Sequence, residues 1–157
     1  MIQVHDTMPS GQLQQLTDGN MVTHDTDELF ANKKTILFAV PGAFTPTCSA
    51  AHLPGYVVNA DEFFAKGVDQ IICLSVNDAF VMSAWGEAQN ADHIMMLGDG
   101  DGSYTQALGL AMETGSFGGL RSKRYAMIIE NGRVESLFIE NPKEFEVSKA
   151  EVVIQDL

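Results

Sequence analysis

The feature that most constrains this chain is a pair of short, nearly unbroken apolar runs, 35-TILFAV-40 and 70-QIICLSV-76. Runs of this length without polar alternation fit strands buried on both faces, inside a sheet covered by helices. Between them, residues 46–66 carry helical patterning interrupted at Pro54-Gly55, which predicts a helix, a break and a second helix. Asn77 and Asp78 can cap a helix from about 79 to 90, HIMML over 93–97 reads as a third strand, and Ser103 opens a short helix ending by Gly109. The runs 124–130 and 133–140 flank Asn131-Gly132, a strong hairpin signal, and Ser148 is placed to cap a last helix over 149–156. Strand, helix, strand, helix, strand, hairpin and helix predict an α/β fold, a mixed sheet flanked by helices, in a single domain over 1–157.

Composition narrows the function classes. The 157 residues are 45% hydrophobic and 19% charged, an ordinary globular balance that excludes a disordered tail, a coiled coil or a collagen-like chain. A net charge of −12 repels nucleic-acid phosphates and anionic lipid headgroups alike. The apolar runs fall far short of the roughly 20 residues that span a bilayer. MIQVHDTMPSGQ at the start has neither a basic nor an apolar leader region. The expectation is therefore a cytoplasmic protein whose two cysteines, Cys48 and Cys73, are free thiols in a reducing compartment. The four histidines have no zinc-like spacing, so no metal is expected. The 99-DGDGS-103 run lacks the glycine and the glutamate of a calcium loop, and no Walker or dinucleotide-binding sequence occurs.

Chemistry concentrates in 41-PGAFTPTCSAAHLPG-55, just past the first buried strand. In α/β sheets, function gathers at the carboxyl ends of strands, where loops run into helix N-termini. Pro46 suits a first helical turn with Thr45 as N-cap, which puts Cys48 where unpaired backbone N–H groups favour an anion. That setting favours the nucleophilic thiolate; the bland alternative is a buried, inert cysteine. His52, one turn further on, could suggest a Cys–His hydrolase, but no Gly-rich oxyanion element accompanies it, so it is expected to pack or bond locally.

The string PGAFTPTCS, with HLPG after it, resembles the active-site signature of the peroxiredoxins, and in detail the peroxiredoxin V branch, which includes the plant type II enzymes and bacterial glutaredoxin-linked relatives. The likeness continues through 74-LSVNDAF-80, Trp85, 97-LGDGDGSY-104, 108-LGL-110 and 121-RSKRYA-126. It implies a thioredoxin-like fold with an N-terminal extension. It assigns Cys48 as peroxidatic cysteine, Thr45 and Arg124 as its catalytic partners, and Pro41 with Gly42 as the segment shaping the substrate site. By the same resemblance the protein is a peroxidase of hydrogen peroxide and small alkyl hydroperoxides. It needs no prosthetic cofactor, is recycled by glutathione and glutaredoxin or by thioredoxin, and pairs as a homodimer through its active-site end. Phe44, Phe80 and Trp85 lie near that end and read either as core or as dimer surface. Arg121 and Arg124 fall on opposite faces if they share a strand, and Arg121 is expected as a solvated charge.

Recycling turns on the second thiol. The segment 141–157 has no cysteine, so the C-terminal resolving residue of many relatives is missing. Cys73 lies in the apolar run IICLSV and reads as a small buried hydrophobe; its rival role is a resolving thiol in a two-cysteine mechanism. The one-cysteine scheme is favoured: glutathione attacks the Cys48 sulfenic acid and glutaredoxin clears the mixed disulfide. Two further readings remain. A peroxide sensor or relay would pass Cys48 oxidation to a partner protein, and a non-catalytic interaction module would carry an inert Cys48.

Overall fold

The computed structural model describes residues 1–157. The two apolar runs form β3 (Lys34–Ala39) and β4 (Gln70–Ser75), neighbours in parallel register with Phe38 opposite Cys73. Successive side chains of a strand point to opposite faces, and here both faces are buried. Ile36, Phe38 and Val40 join one apolar cluster with Tyr56, Phe63 and Trp85. Leu37 and Ala39 join the other, with Phe30, Tyr104 and Tyr125. Each large side chain buried completely in this way contributes about 1.5–3 kcal/mol.

The remaining elements extend this centre. β1 (Gln12–Thr17) and β2 (Asn20–Asp25) form a hairpin, followed by the short α1 (Thr26–Phe30). A π-helical turn, Cys48–His52, runs directly into α2 (Leu53–Ala65) after β3. α3 (Ala79–Ala88), β5 (Met95–Gly98) and α4 (Ser103–Leu108) follow β4. A small hairpin, β6 (Ala111–Glu113) and β7 (Leu120–Ser122), stands apart. β8 (Tyr125–Glu130), β9 (Arg133–Ile139), α5 (Ala150–Val153) and a 3₁₀ turn at Ile154–Asp156 complete the chain. The seven-stranded sheet has the order β2-β1-β5-β4-β3-β8-β9. β3, β4 and β5 are parallel, and the other pairings are antiparallel.

The expected mixed α/β sheet is present, with three local corrections. The helical stretch does not break at Pro54-Gly55. The Leu53 N–H bonds the Cys48 carbonyl, five residues back, so the chain passes Pro54 through a widened π-turn that absorbs the missing donor and the ring. Ser148 does not cap the last helix. Lys149 holds that position without a side-chain cap, and Ser148 is buried and bonded to Glu140. Arg121 and Arg124 do not share a strand: Arg121 lies in β7 and Arg124 immediately precedes β8.

Candidate active site

The loop after β3 is fixed before it reaches Cys48. Val40 continues the sheet through its N–H to the Leu74 carbonyl, 3.0 Å away. The Ser75 hydroxyl donates its one proton to Asn77 Oδ1 at 2.7 Å, with the Val40 carbonyl as the alternative acceptor at 3.1 Å, and that same Oδ1 accepts the Ala43 N–H at 3.0 Å. Arg121 reaches over from β7 and donates from a terminal guanidinium nitrogen to the Pro41 carbonyl at 3.0 Å. Phe117 lies 5.5 Å beneath the same guanidinium. Arg121 is thus half-buried and engaged, not a solvated charge. At Gly42 a Cβ would run into the Arg121 guanidinium and meet Thr45 Cγ2 at 3.2 Å, so a side chain there would push Arg121 off the Pro41 carbonyl.

Thr45 stands at the helix start but does not cap with its side chain. Its hydroxyl donates to the Gly42 carbonyl at 2.7 Å, while its own carbonyl accepts the Ser49 N–H at 2.9 Å. The hydroxyl proton is thereby committed, leaving oxygen lone pairs to accept from a ligand. Two residues on either side of the helix start differ in surroundings: Phe44 takes φ 62° and is 56% exposed, whereas Trp85 is buried and donates its indole N–H to Ser49 Oγ at 3.0 Å.

Cys48 is fully buried in the first helical turn, beneath a cleft of about 550 Å³ lined by Pro41, Thr47, Lys123, Arg124, Lys143 and Phe145 among others. Arg124 donates from one terminal nitrogen to Cys48 Sγ at 3.1 Å and from the other to His52 Nδ1 at 2.8 Å. The His52 tautomer follows. Its Nε2 faces the Ser148 carbonyl at 3.2 Å, which can only accept, so Nε2 carries the hydrogen and Nδ1 accepts from Arg124. Burial first, and the Arg124 charge second, hold His52 neutral, its pKa lowered from 6.5 to about 3.

A strap from β9 to α5 closes the far side. Glu140 Oε2 accepts from the Glu146 and Ser148 N–H groups at 2.8 and 2.9 Å and from the Ser148 hydroxyl at 2.7 Å. Burial pushes its carboxyl up, but these hydrogen bonds outweigh it and hold the group below the usual carboxylate range. Tyr56 donates to the Ser148 carbonyl at 2.7 Å. The Phe145 ring lies 5.6 Å from the Arg124 guanidinium and 5.0 Å from the His52 ring. The strap therefore fixes the imidazole, the imidazole fixes the guanidinium, and the guanidinium meets the sulfur.

The structure gathers Pro41, Gly42, Thr45, Cys48 and Arg124 around one loop and helix start. Cys73 lies behind them in β4, completely buried in the same apolar cluster as Cys48, and burial first and Cys48 second push its thiol well up. His52 belongs to the site by geometry, although its sequence position suggested only local packing. The parts played here by Glu140, Ser148 and Phe145 were not legible in the sequence: Ser148 reaches His52 and Tyr56 across 96 and 92 residues, and Glu140 meets Ser148 in no recognisable motif.

The chain is similar to known proteins over almost its whole length. The Redoxin family model matches residues 3–154. Peroxiredoxin-2D of Arabidopsis thaliana is 44% identical, covering 99% of this chain and 98% of its own. The crystal structure of reduced Prx3 from Vibrio vulnificus, in complex with hydrogen peroxide, is 63% identical, covers 99% of each chain and superposes with a TM-score of 0.98. A one-cysteine peroxiredoxin, the antioxidant protein of Plasmodium falciparum, is 29% identical, with a TM-score of 0.92 over 99% of this chain and 98% of that one. With its signature loop, thioredoxin-like sheet and near full-length matches, the chain belongs to the Redoxin family and, within it, to the peroxiredoxin thiol peroxidases of the peroxiredoxin V and type II branch.

Proposed function

We propose that this protein is a one-cysteine peroxidase of hydrogen peroxide and small alkyl hydroperoxides, with Cys48 as nucleophile and glutathione with glutaredoxin as reductant. The observation that carries this reading is the Arg124 guanidinium held 3.1 Å from Cys48 Sγ. A permanent cation donating to sulfur stays in place as charge moves from sulfur onto oxygen. The thiolate attacks one peroxide oxygen. An S–O bond forms as the O–O bond breaks, and the distal oxygen takes a proton and leaves as water or alcohol. Sulfur is oxidised to sulfenic acid and the peroxide is reduced. Thr45 accepts a hydrogen from the peroxide through its free lone pairs, and Arg124 donates to the departing oxygen. Pro41 and Gly42 set the wall of the loop, braced by Arg121. Access to the buried sulfur requires a shift of the π-helical turn that carries it.

In recycling, the glutathione sulfur attacks the sulfenic sulfur. An S–S bond forms, the S–O bond breaks, and oxygen leaves as water with the available proton. Glutaredoxin then clears the mixed disulfide. The raised thiol of Cys73 in a central strand supports one working cysteine over two. Two free thiols fit a reducing, cytoplasmic compartment. The exposed Phe44 and Phe80 fit pairing of two copies.

The test treats reduced wild type, Cys48→Ser and Cys73→Ser with one equivalent of hydrogen peroxide, then glutathione, and follows intact mass. Wild type and Cys73→Ser should gain one oxygen and then one glutathione, and Cys48→Ser neither. Loss of two hydrogens in wild type, abolished by Cys73→Ser, would replace this scheme with a two-cysteine one. Oxidation followed by no turnover with glutathione and glutaredoxin would favour the sensor reading.

A further inference from the structure

On a chain of net charge −12, six of the nine basic residues fall late: Arg121, Lys123, Arg124, Arg133, Lys143 and Lys149. Lys123, Arg124 and Lys143 line the cleft above Cys48. Arg124 is spent on Cys48 and His52. The ammonium groups of Lys123 and Lys143 have neither an ion pair nor a hydrogen bond, the one ion pair of the chain being Lys149 with Glu146. Two carboxylates share the cleft, Glu140, hydrogen-bonded within its own strap, and Glu144, which accepts from Asn141 at 3.2 Å; neither forms an ion pair with either lysine. Lys143 also stands at φ 65°, a left-handed conformation costly for a side-chain-bearing residue and more often met at functional positions. The cleft, at about 550 Å³, falls within the roughly 300–1,000 Å³ typical of small-ligand sites.

We propose that Lys123 and Lys143 form a carboxylate-binding subsite that orients the anionic thiol co-substrate toward Cys48. This rests on the peroxidase reading above and deepens its recycling step. Glutathione carries two carboxylates and one ammonium. The lysines meet its carboxylates, Glu144 faces its ammonium, and its thiol is directed down the cleft toward the sulfenic sulfur. The apolar side chains of Met112, Phe117 and Phe145 supply the remaining wall. An acidic organic hydroperoxide shares the carboxylate chemistry, and the experiment separates the two sources.

The experiment compares Lys123→Gln/Lys143→Gln with a remote pair of equal charge change, Lys33→Gln/Lys34→Gln. Each protein is first oxidised with hydrogen peroxide, and reduction of the sulfenic acid is followed through the fluorescence of Trp85, the single tryptophan, bonded one residue from Cys48. The quantity read is the rate with glutathione divided by the rate with uncharged 2-mercaptoethanol. That ratio should fall about 3- to 10-fold in the cleft pair and hold in the remote pair, and the wild-type ratio should shrink as salt rises. Lys143→Gln alone, at an exposed position, should give a partial fall if the double variant folds poorly. An unchanged ratio, or equal falls in both pairs, overturns glutathione as the occupant. A second arm then compares oxidation by a carboxylate-bearing hydroperoxide with tert-butyl hydroperoxide. A fall confined to the cleft pair assigns the subsite to the peroxide, and no fall removes the subsite altogether. Wild type that takes up no oxygen would sink the peroxidase reading itself, a failure visible before any thiol is added.

Discussion

At the scale of single residues, His52 carries the least expected duty: a neutral ring between a guanidinium and a carbonyl. Its neutrality has a consequence for stability. The unfolded chain takes up the proton near the ordinary value of 6.5, whereas the folded chain does so only at about 3. Between those values the unfolded state binds more protons, so stability falls as pH drops through that window, by at most about 1.4 kcal/mol per pH unit. His52→Gln should cost about 1–3 kcal/mol at pH 7, because it disturbs two buried hydrogen bonds. It also removes the titration, so the melting temperatures of variant and wild type should converge as pH falls toward 5. Thermal scans from pH 7 to 5 giving parallel curves would mean that His52 is not the group responsible. Cys48, Thr45 and Arg124 stood out in the sequence because the first two share one contiguous motif and the third a second short one. The histidine's role depends on Ser148, 96 residues away, and only the fold brings that carbonyl to it.

At the scale of elements, the strap between β9 and α5 is built around one carboxylate. Glu140 receives three hydrogen bonds from the segment it closes. Its lowered pKa means this support is present above the usual carboxylate range and is lost as pH falls through the lowered value. Glu140→Ala leaves two backbone N–H groups and a buried hydroxyl without their acceptor, a loss of about 2–4 kcal/mol in local closure. Trypsin should then cut faster after Lys143 and Lys149, with the rest of the fold still resistant; wild-type cleavage rates would show that Phe145 packing holds the strap instead. The same scale shows what the sequence could and could not convey. The buried strands announced themselves by unbroken apolar runs, and Asn131-Gly132 marked its hairpin, with both residues at positive φ as such a turn requires. Asp18-Gly19 carries an equivalent signal and the same positive φ, yet the β1–β2 hairpin around it is hard to see in the sequence. Its flanks are polar and mostly exposed, so no apolar alternation drew attention to them. The π-turn was illegible for a different reason: Pro54 signals a helix break, and only the hydrogen bond from Leu53 back to Cys48 shows how the break was avoided.

At the scale of the whole molecule, charge and exposed apolar surface oppose each other. Each chain carries −12, so two copies repel at long range. Phe80, 62% exposed in the first turn of α3, and Phe44, 56% exposed in the loop before Cys48, both lie at the carboxyl ends of the parallel strands. Burying two such rings from each copy would remove apolar area whose transfer is insensitive to moderate salt, while the repulsion is screened within about 10 Å at 0.1 M ionic strength. The two terms predict a sign. If these rings form the interface of a homodimer, the dimer should tighten as salt rises from low to moderate concentration. Phe80→Asp, which adds charge to the same surface, should shift sedimentation toward the 17.1 kDa monomer at micromolar protein. A dimer that loosens with salt would place ion pairs, and therefore a different surface, at the interface. A monomer under all conditions would leave the two phenylalanines free at the mouth of the site.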